Sequence, residues 1–182
     1  MQGARRVGKS YIVEAFAKKE YRSYILIDFN IVDSQVKDMF VHDLNDMDTF
    51  FLKLTTFFNT KLFERQSLII LDEVQLFPRA RSAIKYLVAD GRYDYIETGS
   101  LISIRENVKD ILIPSEEDRI DLYPMDFEEF LWAIGNETMM GLIQNCFENK
   151  KPLGQALHRK AMDLFRQYLI VGGMPQAVKA YI

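Results

Sequence analysis

The sequence has little cysteine and histidine, and it has no long apolar run. Its 182 residues include one cysteine, Cys146, and two histidines, His42 and His158. A single cysteine excludes an intrachain disulfide, and two separated histidines do not form a cluster at zinc-ligand spacing. No apolar run approaches the roughly 18 residues of a membrane helix, and the N-terminus lacks the apolar segment of a signal peptide. These absences predict a protein of the reducing cytoplasm with no membrane span.

The sequence also lacks an excess of charge of one sign. It has 23 basic and 26 acidic side chains, a net charge of -3 and a pI near 5.5. Proteins that bind nucleic acid rely on basic residues to neutralise phosphates, so this composition does not support a nucleic-acid partner. With 48% apolar residues, the chain fits one globular domain, or one domain and part of a second.

Proline and glycine are scarce, at five and nine residues, which leaves little room for a long flexible linker. Short aliphatic runs predict buried strands, and apolar residues at intervals of three and four predict helices. The predicted strands are 23–29, 67–71, 93–98 and a weaker 120–123; the predicted helices are 10–19, two within 32–62, and 82–89. Strands that alternate with helices indicate a parallel sheet covered by helices, which is an α/β fold.

The pattern changes to helices alone after residue 124. Asp126 and Glu129 have the spacing of a capping box, which predicts a helix start. A long helix is predicted for 153–171, and Gly172 and Gly173 follow it. Pro175 suits the first turn of one more helix. We therefore divide the chain into a core, 1–124, and a helical lid or linker region, 125–182.

The most informative motif lies at the start of the chain, where residues 3–10 match the phosphate-loop pattern G-x-x-x-x-G-K-[ST]. In such a loop the backbone amides converge on phosphate oxygens, the lysine reaches the β and γ phosphates, and the hydroxyl binds Mg²⁺. A dinucleotide-binding loop would need glycine where Arg5 stands. The alternative is a glycine-containing turn without a ligand. The predicted nucleotide-binding residues are Gly3, Ala4, Arg5, Arg6, Val7, Gly8, Lys9 and Ser10. Ser10 is also predicted to bind the metal ion.

An acidic pair follows the aliphatic strand in the middle of the chain. Asp72 is predicted to hold Mg²⁺, and Glu73 to act as the base that deprotonates an attacking water. A site that only binds nucleotide does not need the second carboxylate, so Glu73 favours hydrolysis. A solvated strand end is the alternative.

Small hydroxyl residues end the third predicted strand. Thr98 and Ser100 are candidates for contacts to the γ-phosphate or the water, with a polar turn as the alternative. Arg105 and Arg119 are candidates for neutralising charge in the transition state, although a surface role is the simpler interpretation for each. Gln75 is interpreted either as a phosphate sensor or as a loop residue.

Five segments together resemble a bacterial and archaeal family of AAA-type P-loop ATPases: GARRVGKS, LIILDEVQ, TGS, DLYPMDFEEF and YLIVGGMPQAV. The resemblance implies a P-loop NTPase three-layer sandwich. In that fold an extra strand lies between the strand that precedes the phosphate loop and the strand that precedes the acidic pair. A small helical lid region follows the sheet. It also implies that Lys9 and Ser10 occupy the phosphate-loop positions, that Asp72 and Glu73 form the acidic pair, and that residues 98–100 form the sensing turn. Arg119 stands where that family often carries an arginine.

Two departures from the family pattern are expected to matter. Only two residues precede Gly3, so the strand that normally presents the phosphate loop is expected to be absent. The chain also stops within the helix after Pro175, where the family usually continues into a domain of unknown function. Both features predict a shortened family member, and the missing strand predicts either weak nucleotide binding or a chain that does not fold alone.

The sequence therefore predicts Mg²⁺-dependent ATP binding and hydrolysis. ATP is favoured over GTP because no N-K-x-D element follows the third strand. The alternative is a nucleotide-dependent regulatory or interaction module with little or no hydrolysis, and a protein partner or self-association stays open.

Overall fold

The structure is a computed structural model that describes residues 1–100 and 118–182. These residues form two compact units, Met1–Leu122 and Tyr123–Ile182. Within the described ranges, no helix is long and apolar enough to cross a membrane.

The first unit contains six strands and four helices among its described residues. The strands are β1 (Gln2–Gly3), β2 (Ser23–Asp28), β3 (Ser67–Asp72), β4 (Asp94–Glu97), β5 (Gly99–Ser100) and β6 (Asp121–Leu122). The helices are α1 (Lys9–Glu20), α2 (Ser34–His42), α3 (Met47–Phe57) and α4 (Pro78–Asp90), and a 3₁₀ turn covers Val74–Leu76. The predicted third strand is thus shortened to β4, with β5 following just beyond its predicted end, and the predicted fourth is reduced to two residues.

All strand pairs among the described residues of this unit are parallel. β3 lies between β2 and β4, and β1 lies between β5 and β6. β4 and β5 are consecutive segments of one stretch of chain, separated only by Thr98. Through β4 this stretch pairs with β3, the strand that leads into the acidic pair. Through β5 it pairs with β1, the strand before the phosphate loop. The stretch is the inserted strand that the family resemblance implied.

One prediction is wrong: the strand before the phosphate loop was expected to be absent, and it is present as β1. Gln2 and Gly3 do form a short strand, and long-range backbone bonds hold it and the preceding Met1. The terminal amine of Met1 donates to the Glu97 carbonyl at 2.6 Å, and the Gln2 amide donates to the Ile120 carbonyl at 2.9 Å. At Gly3 a Cβ atom would collide with the Leu122 carbonyl, so the close approach of β1 and β6 requires glycine there.

Side chains on the two faces of the β2–β3 sheet enter two separate hydrophobic clusters. Ile69 and Leu71 of β3 belong to the cluster that α2, α3 and α4 cover. Leu68 and Ile70 alternate with them and pack instead with Val13 of α1. All these side chains are buried, and each contributes about 1.5–3 kcal/mol of transfer free energy. The sheet therefore lies between two helical layers, and the predicted three-layer α/β fold is confirmed.

The helix boundaries have local causes. The Asp33 and Asp46 side chains accept hydrogen bonds from backbone amides in the first turns of α2 and α3, and so act as N-caps. α4 begins at Pro78, four residues before its predicted start at Ser82. Proline suits this first position because its missing N–H has no helical partner there in any case. Gly91, at φ 73°, ends α4.

The second unit consists of four helices. They are α5 (Phe127–Ala133), α6 (Thr138–Glu148), α7 (Gln155–Val171) and α8 (Pro175–Tyr181). Asp126 and Glu129 form the predicted capping box at the start of α5. Leu131, Met139 and Ala161 form the buried core of this unit. The Gly173 carbonyl accepts a bond from the Met125 amide at 2.8 Å, and the approach is so close that a Cβ atom at Gly173 would collide with Met125.

Several tyrosines of the first unit are held in the neutral form. Burial raises the pKa of Tyr21 to about 12, and a hydrogen bond donated to Asp94 adds to the shift. Burial also raises the pKa of Tyr24, Tyr93 and Tyr95 above the ordinary value. Folding therefore favours the protonated phenol at all four positions.

We expect the free energy of unfolding to fall as the pH rises above about 10. In that range the unfolded chain loses phenolic protons that the folded chain retains, so the unfolded state gains stability relative to the folded state. Urea titrations at pH 8, 9, 10 and 11 measure the effect. Replacement of Tyr21 by phenylalanine removes one of these protons and is expected to reduce the decline between pH 10 and 11. An unchanged slope in that variant would contradict the assignment.

Candidate functional site

The phosphate-loop segment connects β1 to the N-terminus of α1. Arg6, at φ 66°, and Gly8, at φ 101°, have left-handed backbone conformations, which curl the chain before the helix. Lys9 and Ser10 are the first two residues of α1, and no side chain caps that end. The first amides of a helix have no internal partner, and the helix dipole makes this end positive. The segment therefore presents an unpartnered helix N-terminus of the kind that binds anions.

The Lys9 side chain is buried beneath this loop, with 5% of its surface exposed. Its ammonium group donates to the carbonyl oxygens of Gly3 at 3.2 Å and Ala4 at 2.9 Å. Burial lowers the pKa of Lys9, and the charges of Glu73 and Asp72 oppose that shift without cancelling it. A buried cation thus lies close enough to two acidic residues from the middle of the chain to interact with their charges.

Thr98, between β4 and β5, forms hydrogen bonds with the end of β3 and the residue that follows it. Its hydroxyl donates to Oδ1 of Asp72 and accepts a bond from the backbone amide of Glu73 at 3.4 Å. Its own backbone amide donates to the Leu71 carbonyl at 2.9 Å. Asp72 and Thr98 are both buried, at 5% and 1% exposure. The Asp72 carboxylate therefore has a fixed position at the carboxyl edge of the sheet.

Glu73 is the first residue after β3 and has an unusual backbone. Its φ of 53° is in the left-handed region, which costs a residue with a Cβ atom about 1–2 kcal/mol. The turn takes the chain out of the strand and leaves the side chain half-buried. Oε2 of its carboxylate accepts a hydrogen bond from Nε2 of Gln75. Strained residues of this kind cluster at functional sites.

The structure brings together Lys9, Asp72, Glu73 and Thr98, four residues that lie up to 89 positions apart in the sequence. Ser10 is half-buried in the first turn of α1. Ser100 is half-buried in β5, where it pairs with Gly3.

The remaining predicted residues differ in exposure. The side chains of Ala4, Arg5 and Arg6 are exposed, whereas that of Val7 is buried, so Val7 can offer only its backbone. Arg119 is exposed just before β6. Arg105 lies outside the described residues.

One feature was missed from the sequence: Arg81 and Glu97 form a buried ion pair at 3.6 Å between α4 and β4, and no spacing in the sequence signals it.

A comparison with protein-family models decides the family. A model described as an AAA domain matches residues 1–131 of the 182, and so includes every strand of the first unit. The chain belongs to the AAA domain family. This AAA domain is accordingly a nucleotide-binding domain, as the family resemblance of the sequence implied. A comparison with curated proteins finds no match.

The oxygen atoms at the carboxyl edge of the sheet in this AAA domain fit one kind of metal. No three histidine, cysteine, aspartate or glutamate side chains cluster as metal ligands within the described part of the chain. The Ser10 hydroxyl and the Asp72 carboxylate are oxygen donors, and Asp72 is held in place by Thr98. Mg²⁺ is usually bound through one or two carboxylates together with phosphate oxygens and waters. A small set of hard oxygen donors, one of them in the first turn of α1, fits that ion.

Proposed function

We propose that this AAA domain binds ATP together with Mg²⁺ and hydrolyses the ATP to ADP and phosphate in the cytoplasm. One observation carries the proposal: a buried lysine at the N-terminus of α1 faces the Asp72–Glu73 pair. Burial disfavours the lysine charge, as its lowered pKa shows, and a triphosphate would supply the anionic partner that compensates for this burial. Among ATP and GTP we propose ATP, since the sequence has no guanine-reading N-K-x-D element after the third strand.

Each residue has a distinct part in the proposed site. The backbone amides of residues 3–10 bind phosphate oxygens, and Lys9 contacts the β and γ phosphates. Ser10 and Asp72 hold the metal. When bound, Mg²⁺ would neutralise negative charge that develops on the phosphate oxygens. We also propose that residues 1–124 form the ATPase core and that 125–182 act as a helical lid or linker region.

Glu73 is the proposed general base. A water oxygen attacks the γ-phosphorus, its proton passes to the Glu73 carboxylate, and the bond from the γ-phosphorus to the bridging oxygen breaks so that ADP leaves. Two features support this role. The carboxylate is only half-buried, so water reaches it, and Gln75 occupies just one of its two oxygens. Thr98 and Ser100 stand on the neighbouring stretch of chain, where they are proposed to contact the γ-phosphate or the water.

Release of phosphate from ATP by the full chain tests the proposal. We expect turnover in Mg²⁺, a loss of about 100-fold or more when EDTA removes the metal, and recovery when Mg²⁺ is restored in excess. The reason is that Mg²⁺ would neutralise negative charge on the phosphate oxygens, which the Asp72 and Glu73 carboxylates cannot do. Folded protein that binds ATP without releasing phosphate would instead favour a regulatory or interaction module, with a protein partner or a second copy as its target.

A further inference from the structure

Gln75 lies in the 3₁₀ turn just after the proposed base and is buried, with 5% of its surface exposed. The two ends of its side-chain amide have different surroundings. Nε2 donates a hydrogen bond to Oε2 of Glu73, whereas Oε1 is buried and has no hydrogen-bond partner among the described residues. Exchanging the amide oxygen and nitrogen would place two oxygen acceptors against each other. The donor end of the amide must therefore face Glu73.

The unpartnered Oε1 indicates that the contribution of Gln75 comes from its Nε2 donor and not from its carbonyl oxygen. A buried carbonyl without a donor destabilises the folded state, and an apolar side chain of similar shape would avoid that cost. Glu73 does not need Gln75 for solvation, because its carboxylate is half-buried and open to water. What the amide adds is a fixed direction: with Oε2 held, the carboxylate cannot rotate freely about its last side-chain bond.

We propose that Gln75 is a positioning residue for Glu73. By holding Oε2, it aims the other carboxylate oxygen, Oε1, at the water that attacks the γ-phosphate. This inference rests on the proposed ATPase function and deepens it. Gln75 acts through Glu73 and touches neither ATP nor the metal, so it is expected to affect the hydrolysis step and not nucleotide affinity.

The test replaces Gln75 with methionine, which has a similar shape and no donor, and separately with glutamate, which keeps an oxygen acceptor but has no amide donor. We expect kcat to fall about 10- to 100-fold in both variants, because a small misplacement of a reacting group has effects of this size. KM for ATP is expected to change by less than about twofold. The melting temperature of Gln75→Met should be unchanged or higher, since the unpartnered oxygen is gone. Gln35→Met, at an exposed position in α2, is the matched control.

A double variant tests whether Gln75 acts through Glu73. In a Glu73→Gln background, Gln75→Met should cause no further loss of turnover, whereas two independent effects would multiply. A readout without nucleotide or metal is the NMR signal of the Gln75 side-chain amide. We expect slow hydrogen exchange for one amide proton in the unmodified protein and faster exchange in Glu73→Ala.

Three outcomes would overturn the proposal. They are an unchanged kcat in Gln75→Met, a further loss of turnover when Gln75→Met is added to Glu73→Gln, and an amide signal that does not respond to Glu73→Ala. The first two require an active unmodified protein, and so they are distinguishable from failure of the proposed function. An unmodified protein that folds and shows no turnover at all overturns the ATPase assignment and this role with it.

Discussion

Glu73→Gln is expected to lower kcat for ATP hydrolysis about 10²- to 10⁴-fold while ATP affinity is retained. Glutamine has nearly the shape of glutamate but cannot accept the proton of the attacking water, and general-base catalysis contributes a factor of this size. The loop amides and Lys9, which are proposed to contact the phosphates, are unchanged in the variant. Phosphate release and equilibrium binding of ATP in Mg²⁺, measured on the same preparation, check the two halves of the prediction.

Glu64→Gln is the matched control, because it makes the same chemical change at an exposed residue before β3. We expect its turnover to equal that of the unmodified protein. Turnover that persists in Glu73→Gln would remove Glu73 from the role of base. Loss of ATP binding in that variant would show instead that Glu73 supports the nucleotide site.

Lys9→Met is expected to weaken ATP binding about 100-fold or more. The substitution removes the buried Lys9 ammonium that is proposed to contact the triphosphate, and this cation then no longer offsets the Asp72 and Glu73 charges. The variant should still fold. The lowered pKa of Lys9 means that the folded state disfavours the charged amine relative to the unfolded state, so removal of the charge does not add an electrostatic cost. Calorimetric titration with ATP in Mg²⁺ measures the affinity.

Lys19→Met provides the comparison for this experiment. Lys19 is near the end of the same helix, and its side chain is 83% exposed. We expect its ATP affinity to match that of the unmodified protein. Similar affinity in Lys9→Met and Lys19→Met would show that the buried amine has no part in nucleotide binding.

The sheet and the candidate site were predictable to the extent that short segments determine them. β2 and β3 are continuous runs of β-branched and aliphatic residues, and they became buried strands within one residue of the prediction. The phosphate loop and the acidic pair were found from local motifs, since a glycine-rich turn and a strand end each depend on adjacent residues. The carboxyl ends of parallel strands meet at one edge of the sheet, so the closeness of Lys9 to Asp72 also followed.

Features that depend on distant contacts could not be read from the sequence. β1 forms because Met1, Gln2 and Gly3 bond to or pair with residues 96 to 119 positions away, and two residues carry no strand pattern of their own. The bonds from Thr98 to Asp72 and from Gln75 to Glu73 depend on how the turns after β3 and β4 orient side chains. Helix α6 was not predicted separately, because a run of helical residues after 124 does not show where one helix ends and the next begins.

The central claim is that the buried lysine and the acidic pair form a site for Mg²⁺ and a nucleoside triphosphate. Unfolding of the unmodified protein with and without ATP and Mg²⁺ tests it most directly, because the measurement does not require hydrolysis. At a free concentration about 100 times the dissociation constant, ATP should raise the free energy of unfolding by about 2.7 kcal/mol, and Lys9→Met should lose this gain at the same concentration. A cooperative unfolding transition that saturating ATP and Mg²⁺ leave unmoved in the unmodified protein would contradict the claim.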